Sequence, residues 1–412
     1  MKLGKTALLG AAAALLALAG WQWWSDARAT ANAQLGITQG SSLYGSTSPT
    51  PSAEKAANAG KDGAGSNAPF STQGLQQRQA QQALWQRRYE RAEQSFAAYK
   101  DATRYPPESR PLAEHPDQIR PFSPVSEQTQ ARDAQGQAVK FTLRTSQERV
   151  FLSGADTVKF SIEALDEKGT LLPVAVTSAR AQSLAESRTL TTTIGANLDF
   201  ADDGAGADEV AGDAKYTARL NPAQQGFAQY RGTIRLLATV KANGQEAVAH
   251  FDVVYTPGSP ATWLGMREAF EAGSLNFYAR ANVLQAGRYV VSARVDDAHG
   301  KPFALLQYNE EVAAGVREFK LHVIGVLVRD KNPAFPLRVR DIEGFLLLPD
   351  QHPDRVLMPR LNGVVHTSAK YNVANFSSDE WQSDERQRYL DEYSKDVELA
   401  RLQVQKLQTA QP

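Results

Sequence analysis

The densest set of cation-binding oxygens in this chain falls in DFADDGAGADEVAGDAKYTARL, residues 199–220. Asp202, Asp203, Asp208, Glu209 and Asp213 bring carboxylates onto a glycine-rich loop, and a hard cation such as calcium takes roughly six to eight oxygens of this kind. Asp202, Asp203, Asp208 and Asp213 are therefore the candidate metal ligands, and Ca2+ is the ion they suit. An EF-hand register is missing, because no Asp-x-Asp-x-Asp-Gly run ends in a Glu at the required distance. The same residues also read as a long turn, with Asp side chains capping backbone amides and Gly supplying positive φ. Both readings stay open at this point.

Other chemistry is sparse. The six histidines are scattered, and no His-Glu-x-x-His, Gly-x-Ser-x-Gly, phosphate-loop or dinucleotide-glycine pattern occurs. His-Pro-Asp appears at 115–117 and at 352–354, in each case as the start of a turn. His322 alternates with Leu321 and Val323, which predicts a strand histidine facing solvent or a satisfied partner. Asp296-Asp297 and Glu310-Glu311 are pairings of the kind a two-carboxylate hydrolase uses, but their hairpin setting reads as solvated turns. Arg104, Arg110 and Arg120, around Tyr105 and Phe122, form a basic strip whose expected partners are Glu108, Glu114 and Asp117. With no cysteine, thiolate catalysis, disulfides and Cys-ligated zinc are excluded. The 45 basic residues balance 45 acidic ones, so no global field draws the chain to nucleic acid.

The elements that would position these groups begin with an apolar leader. Lys2 and Lys5 precede an uncharged run over residues 7–24, which as a helix spans about 27 Å, near the hydrocarbon thickness of a bilayer. Trp21, Trp23 and Trp24 stand where an interfacial aromatic belt belongs. Residues 1–29 are thus expected to be a membrane anchor or a cleaved signal peptide, with small-residue cleavage sites at Ala27-Arg28-Ala29 or Ala31-Asn32-Ala33. Either way the body is exported. The expected location is a single pass in the inner membrane with a periplasmic body, or a secreted or periplasmic chain after cleavage.

Residues 30–73, rich in Ala, Gly, Ser, Thr and Pro, read as a disordered stalk. Residues 74–101 carry Trp85, Tyr89, Ala92, Phe96 and Tyr99 at steps of three and four, the stripe of an amphipathic helix. Residues 102–136 hold six of the chain's prolines between 106 and 124. This predicts a stiff strap that Leu112, Ile119 and Phe122 would pin to a folded surface.

Period-two runs separated by short turns then predict one β-sandwich over 137–256 and a second over 264–350, followed by an extended loop over 351–376. MREAFEAG at 266–273 fits a helical turn or an edge strand. Residues 377–408 predict a C-terminal helix with a capping box from Ser377 to Glu380, and Leu390, Tyr393, Val397, Ala400, Val404 and Leu407 form its stripe. The two helices are expected to pack together or lie along the sandwiches, or else each to dock separately on its own neighbour.

Asp202-Asp203-Gly204, Asp208, Ala211-Gly212-Asp213 and Tyr216-Thr217 resemble the acidic loop of bacterial exported Ig-like modules. Residues 266–302 and 376–386 look like the second half of proteins with a choice-of-anchor domain. The resemblance covers roughly residues 140–386 and implies an exported antiparallel β-sandwich architecture, with no reaction attached. Ala214 departs from it, because a Gly commonly follows that Asp. If the position needs positive φ, the loop is strained or rearranged there.

The expected fold class is mainly β: two antiparallel Ig-like sandwich modules flanked by a membrane helix, an amphipathic helix and a long C-terminal helix. The expected role is non-enzymatic binding or scaffolding in the envelope, with an envelope protein or glycan as partner. The alternatives are a glycan-binding module, with a hydrolase further off, and a calcium-dependent adhesion module.

Overall fold

The computed structural model describes residues 72–184 and 193–409, which form two units. One holds the described residues up to Arg104 together with those from Glu380 onward, and the other is Tyr105–Asp379. The apolar run at 7–24 and the stalk up to residue 71 lie outside the described residues. Among the described residues, no helix is long and apolar enough to cross a membrane.

Three α-helices occur among the described residues: α1 (Thr72–Ala102), α2 (Gly325–Lys331) and α3 (Asp384–Thr409). In the first unit α1 and α3 pack on each other, which selects between the two arrangements left open by the sequence. Trp85, Tyr89, Ala92, Phe96 and Tyr99 on α1 are half-buried, as are Leu390, Tyr393, Val397, Val404 and Leu407 on α3, and Ala400 is buried. The Tyr99 ring lies 5.7 Å from that of Tyr389 and 5.2 Å from that of Tyr393. At the opposite end Gln82 Nε2 donates to the Leu407 carbonyl (2.9 Å), so the helices run antiparallel.

The expected capping box does not form. Glu380 is occupied elsewhere, accepting from Arg386 Nη2 at 2.6 Å and from Arg104 Nη1 at 3.1 Å. Arg386 is 2% exposed, and this buried charge needs its partners more than the helix needs that cap. The cap is Ser383 instead, whose Oγ accepts from the Arg386 amide (3.0 Å).

In the second unit, the first sandwich spans Val125–Thr256. One sheet runs Val125–Arg132, Ala138–Gln147, Val158–Leu165, Leu171–Leu172, with Tyr216–Leu220 also paired to Val158–Leu165. The facing sheet runs Phe151–Ser153, Gln245–Thr256, Gly232–Ala242, Val174–Ser183, Gly195–Asn197. Pairing is antiparallel except for Phe151–Ser153, which lies parallel to 254–256. Every second residue of Gly232–Ala242 is buried, as period-two side-chain alternation requires. Phe160 and Phe251 join the two sheets at a ring separation of 4.8 Å.

The second sandwich sets a three-stranded sheet (Ala261–Glu271, Ser274–Val283, Gly315–Val323) against a six-stranded one. The latter runs Ser109–Pro111, Pro302–Val312, Gly287–Asp296, Arg338–Leu347, Arg355–Leu357, with Leu361–Thr367 also on Arg338–Leu347. Phe319, fully buried, collects the rings of Trp263, Tyr289 and Tyr308 at 5.7, 5.6 and 5.2 Å. Residues 266–271 belong to an edge strand rather than a helical turn.

Several expectations change. The 351–376 stretch supplies the strands Arg355–Leu357 and Leu361–Thr367. Inside the stretch expected as the second sandwich, the strand Gly315–Val323 is followed at once by α2, whose Gly325, Val326, Leu327 and Val328 are buried. The proline strap also ends early, because Val125–Arg132 is an edge strand of the first sandwich. At its other end Ser109–Pro111 pairs with 304–306 as an edge strand of the second, a place where a proline without an amide hydrogen costs no ladder bond. Leu112 is fully buried, and the buried Tyr105 donates its hydroxyl to Asp330 (2.9 Å). Ile119 and Phe122 are half-buried.

Candidate functional site

The acidic loop connects Gly195–Asn197 to Tyr216–Leu220, and its ends are tied by the bridge between Ala201 and Thr217. That closure folds the loop back on itself. Asp202, Asp208 and Asp213 then each offer a carboxylate oxygen, the three lying within 4.8 Å of one another. Asp203, expected with them, is not part of this trio. Its Oδ1 accepts from the Ala205 amide (3.0 Å) in a local turn. Glu209 reaches away to Lys159 Nζ at 2.5 Å, and this hydrogen bond holds its carboxyl below the usual range.

Asp202 organises the loop. Its Oδ1 accepts from the amides of Gly212 (2.7 Å) and Asp213 (3.1 Å), and its Oδ2 accepts from Ala214 (3.0 Å). Asp208, 7% exposed, accepts from the Gly204 amide at 2.6 Å, and Asp213 Oδ1 accepts from Lys215 (3.0 Å). Ala214 sits at φ 63°, a left-handed conformation that costs a residue with a Cβ about 1–2 kcal/mol. The hydrogen bond to Asp202 holds it there.

The chemistry open to this trio follows from the lone pairs. Each carboxylate oxygen carries two, so the three groups can cap these amides and still present oxygens to a hard cation, with water filling the remaining positions. The residues therefore fit a partly hydrated Ca2+ and also fit an amide-capped turn. The two readings differ in whether the loop needs an ion to hold its shape.

The remaining polar groups are bound into the sheets. His322 Nδ1 lies 2.7 Å from Asn276 Oδ1, and burial, with Lys320 adding to it, lowers its pKa to about 4, so it is a neutral, partnered strand histidine. Asp296 takes two hydrogen bonds from Arg340 (2.5 and 3.1 Å). Asp297 caps its hairpin by accepting from the amides of His299 (2.8 Å) and Lys301 (3.0 Å). Burial alone would raise its carboxyl, but these bonds outweigh it and hold it low. Of the basic strip, Arg110 pairs with Glu114 (3.2 Å) as expected, whereas Arg104 belongs to Glu380.

Two polar clusters carried no signal in the sequence. Glu268, on the edge strand Ala261–Glu271, accepts from the Ala369 amide (2.8 Å) and the Tyr371 hydroxyl (3.0 Å), and lies 3.0 Å from His366 Nε2. It latches the rim of the second sandwich. Arg294, fully buried, donates to the Asp341 carbonyl (2.9 Å), to Glu343 (2.8 Å) and to Gln118. Their members are scattered from 118 to 371, so no local pattern could bring them together.

No family model and no curated protein matches the chain. Among solved structures it is distantly similar to a DUF4785 family protein from Legionella pneumophila, at 12% identity and a TM-score of 0.37, over 55% of this chain and 57% of that one. It is also distantly similar to dimeric latent PorU from Porphyromonas gingivalis, at 13% identity and a TM-score of 0.17, over 60% of this chain and 21% of that one. The matched part is less than two thirds of either structure's own length. The chain is a β-rich protein with flanking helices, and no family is assigned to it.

Proposed function

We propose that this chain is an exported envelope protein, tethered by its apolar leader or freed from it by cleavage, that holds or recognises another envelope protein or a glycan without catalysing a reaction. One observation carries the reading: the two sandwiches are stitched into a block suited to rigid display. The Arg355 guanidinium lies over Phe151 of the first sandwich (4.8 Å) and Phe345 of the second (5.0 Å). Ser153 Oγ of the first accepts from the Leu357 amide of the second (2.9 Å), while Ser259 Oγ in the connection donates to the Leu357 carbonyl (3.2 Å). The sequence resemblance to choice-of-anchor proteins points the same way.

The test is a photo-crosslinking residue placed, in intact cells, at Val210 on the acidic loop or at Leu399 on α3, both 57% exposed. The expected result is a discrete adduct with an envelope component from at least one position. Recovery of the uncrosslinked chain in the cytosolic fraction would sink the proposal. The carboxylate trio favours a second reading, calcium-dependent adhesion, for which chelation should weaken both adhesion and thermal stability.

A further inference from the structure

Three distant chain segments meet between the sandwiches. Phe122 and Pro124 come from the proline-rich crossing, Glu148 and Arg149 from the turn after Ala138–Gln147, and Arg360 and Asn362 from the entry to Leu361–Thr367. Together they line a pocket of about 320 Å³. That size suits a small ligand or one end of a larger one.

Its two arginines are poorly served by the protein. Arg360 is 18% exposed at its side chain, and its guanidinium lies 4.5 Å from the centre of the Phe122 ring. Its nearest carboxylate, Glu343, stands 3.9 Å away and is engaged more closely by Arg294 at 2.8 Å. Among the described residues the Arg360 guanidinium donates no hydrogen bond. Arg149, 19% exposed, approaches Asp156 at 3.3 Å with Nη1, while its buried Nε has no acceptor. Burial draws the Arg360 guanidinium below its usual value. Glu343 counters this, and the neighbouring Arg149 charge adds to it.

Unpaired donors on half-buried cations are costly, and a planar guanidinium is shaped to grip an oxyanion through two parallel N–H bonds. Water would satisfy the donors, but Asp156 and Glu343 offset the two neighbouring cations only in part. An oxyanion does both tasks.

We propose that Arg149 and Arg360 form a binding site for the carboxylate, phosphate or sulfate group of a small ligand, with Phe122 as its floor. Glu148, whose Oε2 accepts from the Lys159 amide (3.0 Å), also lines the pocket and disfavours an anion placed against it. The site requires both sandwiches and the crossing between them, and it stands independently of the envelope reading above.

The experiment titrates the full chain with inorganic phosphate, sulfate and acetate, each against sodium chloride at matched ionic strength, with melting temperature as the readout. At least one oxyanion should raise the melting temperature above the chloride control. Phosphate against acetate then separates a tetrahedral anion from a carboxylate. Arg360→Gln and Arg149→Gln should each weaken apparent affinity by about tenfold or more, whereas Arg120→Gln, at an exposed position of the same crossing, should not. As a check that needs no variant, phenylglyoxal labelling followed by peptide mass spectrometry should show Arg149 and Arg360 protected by the bound anion. Equal labelling with and without anion, or no gain over chloride, overturns the proposal.

Discussion

Replacing Asp202 by alanine removes the acceptor of three backbone amides at once, those of Gly212 (2.7 Å), Asp213 (3.1 Å) and Ala214 (3.0 Å). Gly212 and Asp213 are exposed, so water recovers part of what they lose, while Ala214 is half-buried in a strained conformation. At about 1 kcal/mol for each bond to the carboxylate, the loop should lose about 3 kcal/mol against local opening. Hydrogen–deuterium exchange at residues 212–214 would then accelerate by about a hundredfold, with the sheets unaffected. Asp202→Asn keeps one carbonyl oxygen and should cost about half as much if the loop is an amide-capped turn. If a cation holds the loop, Asn and Ala should be equally damaging, and chelation of the unaltered protein should reproduce their exchange pattern. Unchanged exchange at 212–214 in Asp202→Ala would refute the assignment of Asp202 as the organiser of this loop.

Gly325→Ala should prevent the second sandwich from folding, because a Cβ there would meet the Gly273 carbonyl oxygen at 2.2 Å and the Ser377 amide nitrogen at 2.7 Å. We expect a loss above about 3 kcal/mol, seen as insoluble or protease-sensitive chain. Tyr99→Ala should cost about 2 kcal/mol by emptying the contact with Tyr389 and Tyr393, read as faster proteolysis of α1 and α3 and a lower helix melting temperature. Unchanged cleavage would refute the antiparallel pairing. His322 has a native pKa of about 4, below its unfolded value, so below about pH 6.5 the unfolded chain takes up a proton that the native one refuses. Stability should therefore fall by about 3 kcal/mol as pH drops from about 6.5 to about 4, and His322→Gln should flatten that slope in urea titrations.

The prolines between 106 and 124 have a structural consequence. Their segment cannot be helix or central strand, so it serves as edge strand for the second sandwich at Ser109–Pro111 and leads into an edge strand of the first at Val125–Arg132. One stiff run thus borders both sheets and floors the pocket between them.

What the sequence determined by itself was local and periodic. Alternation placed strands such as Gly232–Ala242, Ser274–Val283 and Gly287–Asp296, and three-four spacing marked both helical stripes, because one buried face imposes a fixed repeat on the chain. It also marked Asp202, Asp208 and Asp213, since glycine-spaced carboxylates are visible within one loop. The strand Val174–Ser183 was not legible. Its inward residues include Ala179 and Ala181, too small to announce a core. Tertiary structure alone decided that α1 faces α3, that Glu380 serves Arg104 and Arg386 instead of a helix cap, and that Asp203 stays outside the carboxylate trio. It also decided that Arg149 and Arg360, more than two hundred positions apart, share one pocket. The physical reason is range: hydrophobic burial sets a period along the chain, whereas ion pairs and pockets depend on which strands become neighbours in space.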